Sequence, residues 1–154
     1  MDLRTRIQTA TKEAMKARDT ARTSTLRLIS AAIKDREIGL RGEKGIDAVL
    51  EEADLVAILA RMVKQRQESA RAYEEGGRLE LAAKEEAEIG VIQSFLPRQM
   101  DAAEVEAAVA RAVADLGATG LRDMGKVMAE LRARHAGQMD FGAVGPMVKA
   151  RLMG

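Results

Sequence analysis

Apolar residues recur every three or four positions along nearly the whole chain, and nowhere do they alternate convincingly; that pattern restricts the chain to packed helices. Leu3, Ile7, Ala10, Ala14 and Met15 mark a first helix ending at about Arg18. Leu26, Ile29, Ala32 and Ile33 form the stripe of a second, capped by Asp19 or Thr20 and running out at Gly39. The stretch "GLRGEKG" (39–45) holds three glycines in seven residues and reads as a loop. A third helix starts between Asp47 and Glu52, where acids suit a helix N-terminus, and carries Leu55, Leu59, Met62, Arg66 and Tyr73 to a stop at Gly76 and Gly77. The fourth opens at Arg78 and places Leu79, Ala82, Ile89, Ile92 and Phe95 on or near one face.

Pro97 ends that run, and Asp101 with Glu104 three residues later has the spacing of a capping box, so a domain boundary is expected at about residue 97. Three shorter helices follow. The first spans 102–116 with Val105, Val109, Val113 and Leu116 inward and Gly117 as its stop. The next spans about 121–134 on Leu121, Met124, Val127, Met128 and Leu131. The last is introduced by Asp140 and holds Val144, Met147, Val148 and Leu152; Pro146 would remove an interior hydrogen bond, so this helix either starts nearer Gly145 or is kinked. The expected fold is all-α: a helical N-terminal domain of about four helices over 1–96, then a small three-helix bundle over 97–154.

Only three residues are aromatic, Tyr73, Phe95 and Phe141, so the core must be aliphatic, and 32% of residues are charged. The absence of cysteine excludes disulfides and thiolate metal sites. No run of about 18 apolar residues is present to span a membrane, and the charged N-terminus lacks an apolar signal core; the expectation is a soluble, cytoplasmic protein without membrane partners. Net charge is +1, but residues 1–44 carry eleven Lys and Arg against six acids, residues 45–97 the reverse, six against eleven, and the last 37 residues six against three. Such unevenness can steer an anionic partner, or it can be helices pairing with one another.

Catalytic chemistry finds little to use. "GLRDMGKV" (120–127) approaches the frame of a phosphate-binding loop, but Val127 stands where a metal-binding hydroxyl belongs, and the preceding segment has helical rather than strand period. His135 is the one histidine, at a Gly-rich helix end suited to a capping or solvated role, with no partner nucleophile identified. Glu85, Glu86 and Glu88 lack the Glu-x-x-His pairs of helical di-metal sites and read as a solvated acidic face. No cofactor is implied.

A binding role has more material. Arg122 and Lys126 lie one turn apart opposite an apolar stripe, Arg132 and Arg134 stand toward its flanks, and Lys149 and Arg151 add charge on the last helix. These six are the candidate nucleic-acid contacts, giving salt-sensitive affinity through phosphates. With few aromatics for stacking on unpaired bases, a structured RNA is the sensible target. The bland alternative is a solvated basic face.

Four stretches, "MKARDTARTSTLRLISAAIKDREI" (15–38), "VKQRQESARAYEEGGRLELAAKEEAEI" (63–89), "FLPRQM" (95–100) and "DMGKVMAELRARHAGQMD" (123–140), together resemble the GatB/YqeY family over essentially the whole chain. The part from about 98 onward is similar to the tail domain of the B subunit of glutamine-dependent aminoacyl-tRNA amidotransferase. The resemblance implies an all-helical two-part fold and an association with tRNA-dependent amidation, with tRNA and with amidotransferase or aminoacyl-tRNA synthetase components as partners. It places the family's Gly-Lys helix start on Gly125 and Lys126. The kinase-like and amidase regions of the larger enzyme have no counterpart here, so the resemblance implies a non-catalytic accessory protein. The alternative is a helical protein–protein interaction module with no RNA binding.

Overall fold

In the computed structural model, which describes all 154 residues, seven α-helices and one 3-10 turn account for the regular structure, with no strand. The chain divides into two compact units, Met1–Leu96 and Pro97–Gly154, each with its own aliphatic core.

In the first unit, α1 (Leu3–Lys16) begins where the Asp2 carboxylate accepts from the Thr5 amide at 2.7 Å, and the Leu3 amide donates to Glu52 of α3 at 2.9 Å. α2 (Thr20–Lys44) begins at Asp19, whose carboxylate accepts from the Arg22 amide. α3 (Glu52–Glu75) and α4 (Leu79–Gln93) pack along their length as a hairpin. Arg66 of α3 pairs with Glu88 of α4 at 3.0 Å, both side chains largely shielded from solvent. Leu26, Ile29, Leu59 and Ile92 are completely buried at the centre. Arg4 pairs with Glu37, and Arg6 lies 5.6 Å from the Phe95 ring centre.

The expected loop over 39–45 is a correction: α2 runs through it to Lys44. Leu40, seven residues beyond Ile33, falls on the face of α2 that meets the core and is buried there. Two interior glycines, Gly39 and Gly42, cost about 1 kcal/mol each relative to alanine. Burying Leu40 contributes about 1.5–3 kcal/mol, so packing carries the helix past the glycines.

In the second unit, α5 (Ala102–Leu116) starts with the expected reciprocal cap: the Glu104 amide donates to Asp101 at 2.8 Å and the Asp101 amide to Glu104 at 3.2 Å. A 3-10 turn (Leu121–Asp123) precedes α6 (Met124–Arg134), and α7 (Phe141–Met153) follows. α7 starts at Phe141, not near Gly145, with Pro146 inside it and the Asp140 carboxylate accepting from the Gly142 amide at 3.0 Å. Gly145 lacks the Cβ that would meet the proline ring, which eases one of the contacts a proline makes inside a helix, while the backbone hydrogen bond that Pro146 cannot donate is still lost.

The buried stripe of α5 is rotated from the expected one. Ala108, Val109 and Ala112 are buried, Val105 and Val113 are half-buried, and Leu116 is 40% exposed. Leu121, also expected inside, is 47% exposed. Part of the buried face of α5 is made by alanines, which a search for large apolar residues misses.

Three helix ends in the chain share one device, a left-handed residue followed by an amide that reaches five residues back. Arg78 donates to the Tyr73 carbonyl at 2.8 Å across Gly77, and Ala118 to the Val113 carbonyl at 3.0 Å across Gly117. At the end of α1, Asp19 donates to the Ala14 carbonyl at 3.0 Å, and the left-handed residue is Arg18, with φ 56°. Glycine adopts this region freely; a residue with Cβ does not.

Candidate nucleic-acid interface

Arg122 lies in the 3-10 turn rather than on the helix that carries Lys126, so the two are not successive turns of one α-helix. Between them in sequence stands Asp123, whose carboxylate accepts from the Thr119 amide at 3.0 Å. That backbone hydrogen bond, with one from Gly120 and the charges of Lys126 and Arg122, holds the Asp123 carboxyl below its ordinary range. A fixed negative charge therefore sits among the basic residues at the start of α6.

On α6, Val127, Met128 and Leu131 face the core. At about 100° per residue, Lys126 points away from them while Arg132 and Arg134 flank the stripe on opposite sides. Arg134 is doubly engaged, by Asp115 at 2.9 Å and Glu130 at 2.8 Å, and these hydrogen bonds raise its pKa further. Arg132 stacks over Phe141 with 5.7 Å to the ring centre. Lys149 and Arg151 are exposed on α7; two residues apart, they stand about 200° from one another, on opposite flanks of the buried Val144, Val148 and Leu152. Arg122, Lys126, Lys149 and Arg151 make no ion pair. The helices thus bring Arg122 and Lys126 together around Asp123 and set the remaining candidates around the unit's perimeter.

His135 closes α6 through its backbone: its amide donates to the Leu131 carbonyl at 2.9 Å and its carbonyl accepts from the Gln138 amide at 3.0 Å. Glu88 is engaged by Arg66, and no three His, Asp or Glu side chains cluster at metal-binding distance.

A family model described as Yqey-like protein matches residues 4–152. The chain belongs to that family. Among curated proteins it is similar to "Altered inheritance of mitochondria protein 41, mitochondrial" of Vanderwaltozyma polyspora, 34% identical over 55% of this chain and 43% of the relative. The protein of the same name from Eremothecium gossypii is 35% identical over 68% of this chain and 54% of the relative, and that from Lachancea thermotolerans is 32% identical over 62% and 48%. The chain thus spans about half the length of the curated relatives it matches. The cytoplasmic placement expected from the charged N-terminus is overturned by these relatives, whose names place them in mitochondria. A charged N-terminus without an apolar core argues only against a secretory signal and does not select a compartment. No helix is long and apolar enough to cross a membrane.

Two of the stretches that carry the likeness to this family meet in the second unit. The Met100 amide donates to the Gln138 carbonyl at 2.9 Å, the Gln99 side chain donates to the Gly137 carbonyl, and the Gln138 side chain donates to the Arg98 carbonyl at 3.3 Å. Arg98, not singled out from sequence, forks onto both oxygens of Glu104 at 2.6 and 3.0 Å and holds that carboxyl down to about 2. These residues of "FLPRQM" and "HAGQMD" are joined structurally: they fasten the segment entering α5 to the turn between α6 and α7.

Proposed function

We propose that this family member is a non-catalytic accessory protein that binds tRNA through its C-terminal unit, in the setting of tRNA-dependent amidation. The observation that carries the reading is the set of four exposed cations without an ion pair, Arg122, Lys126, Lys149 and Arg151; the resemblance of this part of the sequence to an amidotransferase tail supplies the setting. Paired or stacked residues contribute less: Arg134 must break two ion pairs to reach a phosphate, and Arg132 must leave the ring of Phe141. Amidotransferase or synthetase components remain the proposed protein partners by the resemblance alone.

Filter binding to purified tRNA across a salt series tests the proposal. Each phosphate contact contributes about 0.7–0.9 to the slope of log affinity against log salt, so contacts from all four cations would give a slope of roughly −3 to −4, and contacts from Arg122 and Lys126 alone about half that. Reversing those four charges should abolish the slope, while Arg134→Glu should leave it nearly unchanged. Equal binding by wild type and the fourfold variant would remove these four residues from the mechanism.

A further inference from the structure

The end of α1 and the first three turns of α2 enclose an open groove of about 660 Å³. Its apolar surface comes from Met15 and Leu28, which are 51% and 43% exposed. Arg18 and Arg27 stand on its walls with Thr20 and Ser24, and no acidic side chain lines it. Neither arginine makes an ion pair or side-chain hydrogen bond. Arg18 also occupies the left-handed position that glycine holds at both equivalent helix ends, Gly77 and Gly117. Glycine would adopt that backbone at lower cost, so the arginine carries local strain that its backbone role does not require.

We propose that this groove docks an acidic amphipathic segment of a partner protein, seating an apolar side chain on Met15 and Leu28 and carboxylates on Arg18 and Arg27. Charge complementarity selects the occupant. Two unpaired guanidinium groups on a wall free of acids offer bidentate hydrogen bonds to carboxylates. The apolar floor decides against a nucleic acid backbone: a phosphodiester chain would satisfy the arginines but leave Met15 and Leu28 in water, and no aromatic ring is present to stack a base. Methionine on that floor adapts to an apolar side chain of varied shape. The inference is independent of tRNA binding by the other unit.

The test uses the full chain as bait for a random-peptide phage library, with counter-selection on the Arg18→Gly/Arg27→Glu double variant. The expected winners interleave Asp or Glu with Leu, Ile or Phe at helical spacing. The best of them, synthesised with a fluorophore, should lose about tenfold in affinity to Arg18→Gly and likewise to Leu28→Asp. Arg18→Gly also guards against a folding artefact, because glycine relieves the backbone there and the variant should melt no lower than wild type. Absence of enrichment over counter-selection, winners that are neutral or basic, or affinity indifferent to Arg18→Gly would each overturn the proposal. So would an RNA oligonucleotide whose binding depends on Arg18 and Arg27 while no peptide's does.

Discussion

Leu131→Ala in α6 should cripple the C-terminal unit. Leu131 is completely buried, as are Val127, Val148 and Ala112, and Val109 beside them is nearly so. Removing its three carbon atoms forfeits their transfer free energy and leaves a cavity; such replacements cost about 2.7–5.0 kcal/mol, with the upper range at sites that cannot collapse. Val109 and Ala112 on α5, and Val144 and Val148 on α7, are held by helices on either side of α6, so little relaxation is available and the loss should be about 3–4 kcal/mol. A unit of this length has roughly 3–9 kcal/mol of stability in total, so a large part of it goes. Amide hydrogen exchange read by mass spectrometry is the assay, with core amides of α5 and α6 losing protection by about two orders of magnitude or more. Leu116→Ala and Leu121→Ala are the matched controls: half-exposed, each should cost under about 1 kcal/mol. Equal losses from Leu116 and Leu131 would refute the rotated packing of α5 and the reasoning built on it.

Gly117→Ala should destabilise by about 1–2 kcal/mol although open space surrounds the new Cβ, because φ there is +60°; a thermal melt showing no change would contradict the left-handed assignment. The Glu104 carboxyl, lowered from its ordinary 4.5 to about 2 by the hydrogen bond from Arg98 and then the Asp101 amide, should contribute stability that is fully present above about 4.5 and lost as pH falls toward 2. Carboxyl NMR titration of wild type and Arg98→Met checks this, and an unmoved Glu104 would show that Arg98 is not its partner. Glu88→Ala should cost about 1.5–3 kcal/mol by leaving the shielded Arg66 guanidinium with only its long contact to the Met62 carbonyl, 3.4 Å; urea unfolding measures it, and a neutral result would make the pair ornamental.

Most helices were legible, because the apolar period and the caps at Asp19, Asp101 and Asp140 are local signals acting over four or five residues. The helix through "GLRGEKG" was not, since glycine content is local and the burial of Leu40 is not. For the candidate interface, residue type was legible and availability was not. Arg134 reads as a free cation until Asp115, nineteen residues away, closes on it, and Arg132 reads so until Phe141 comes beneath it. The groove at Arg18 had a trace in sequence, a helix end lacking the expected glycine, which acquires meaning only once φ at that residue is known.

By itself the amino-acid sequence determined an aliphatic, all-helical chain of this family, because side-chain period, capping and breaker residues are set by neighbours along the backbone. Tertiary structure alone decided which side of α5 is inward, which arginines are neutralised, and that Met15 and Leu28 share a groove with two unpaired cations. Those outcomes depend on groups brought together from distant positions, whose burial and pairing no single segment encodes.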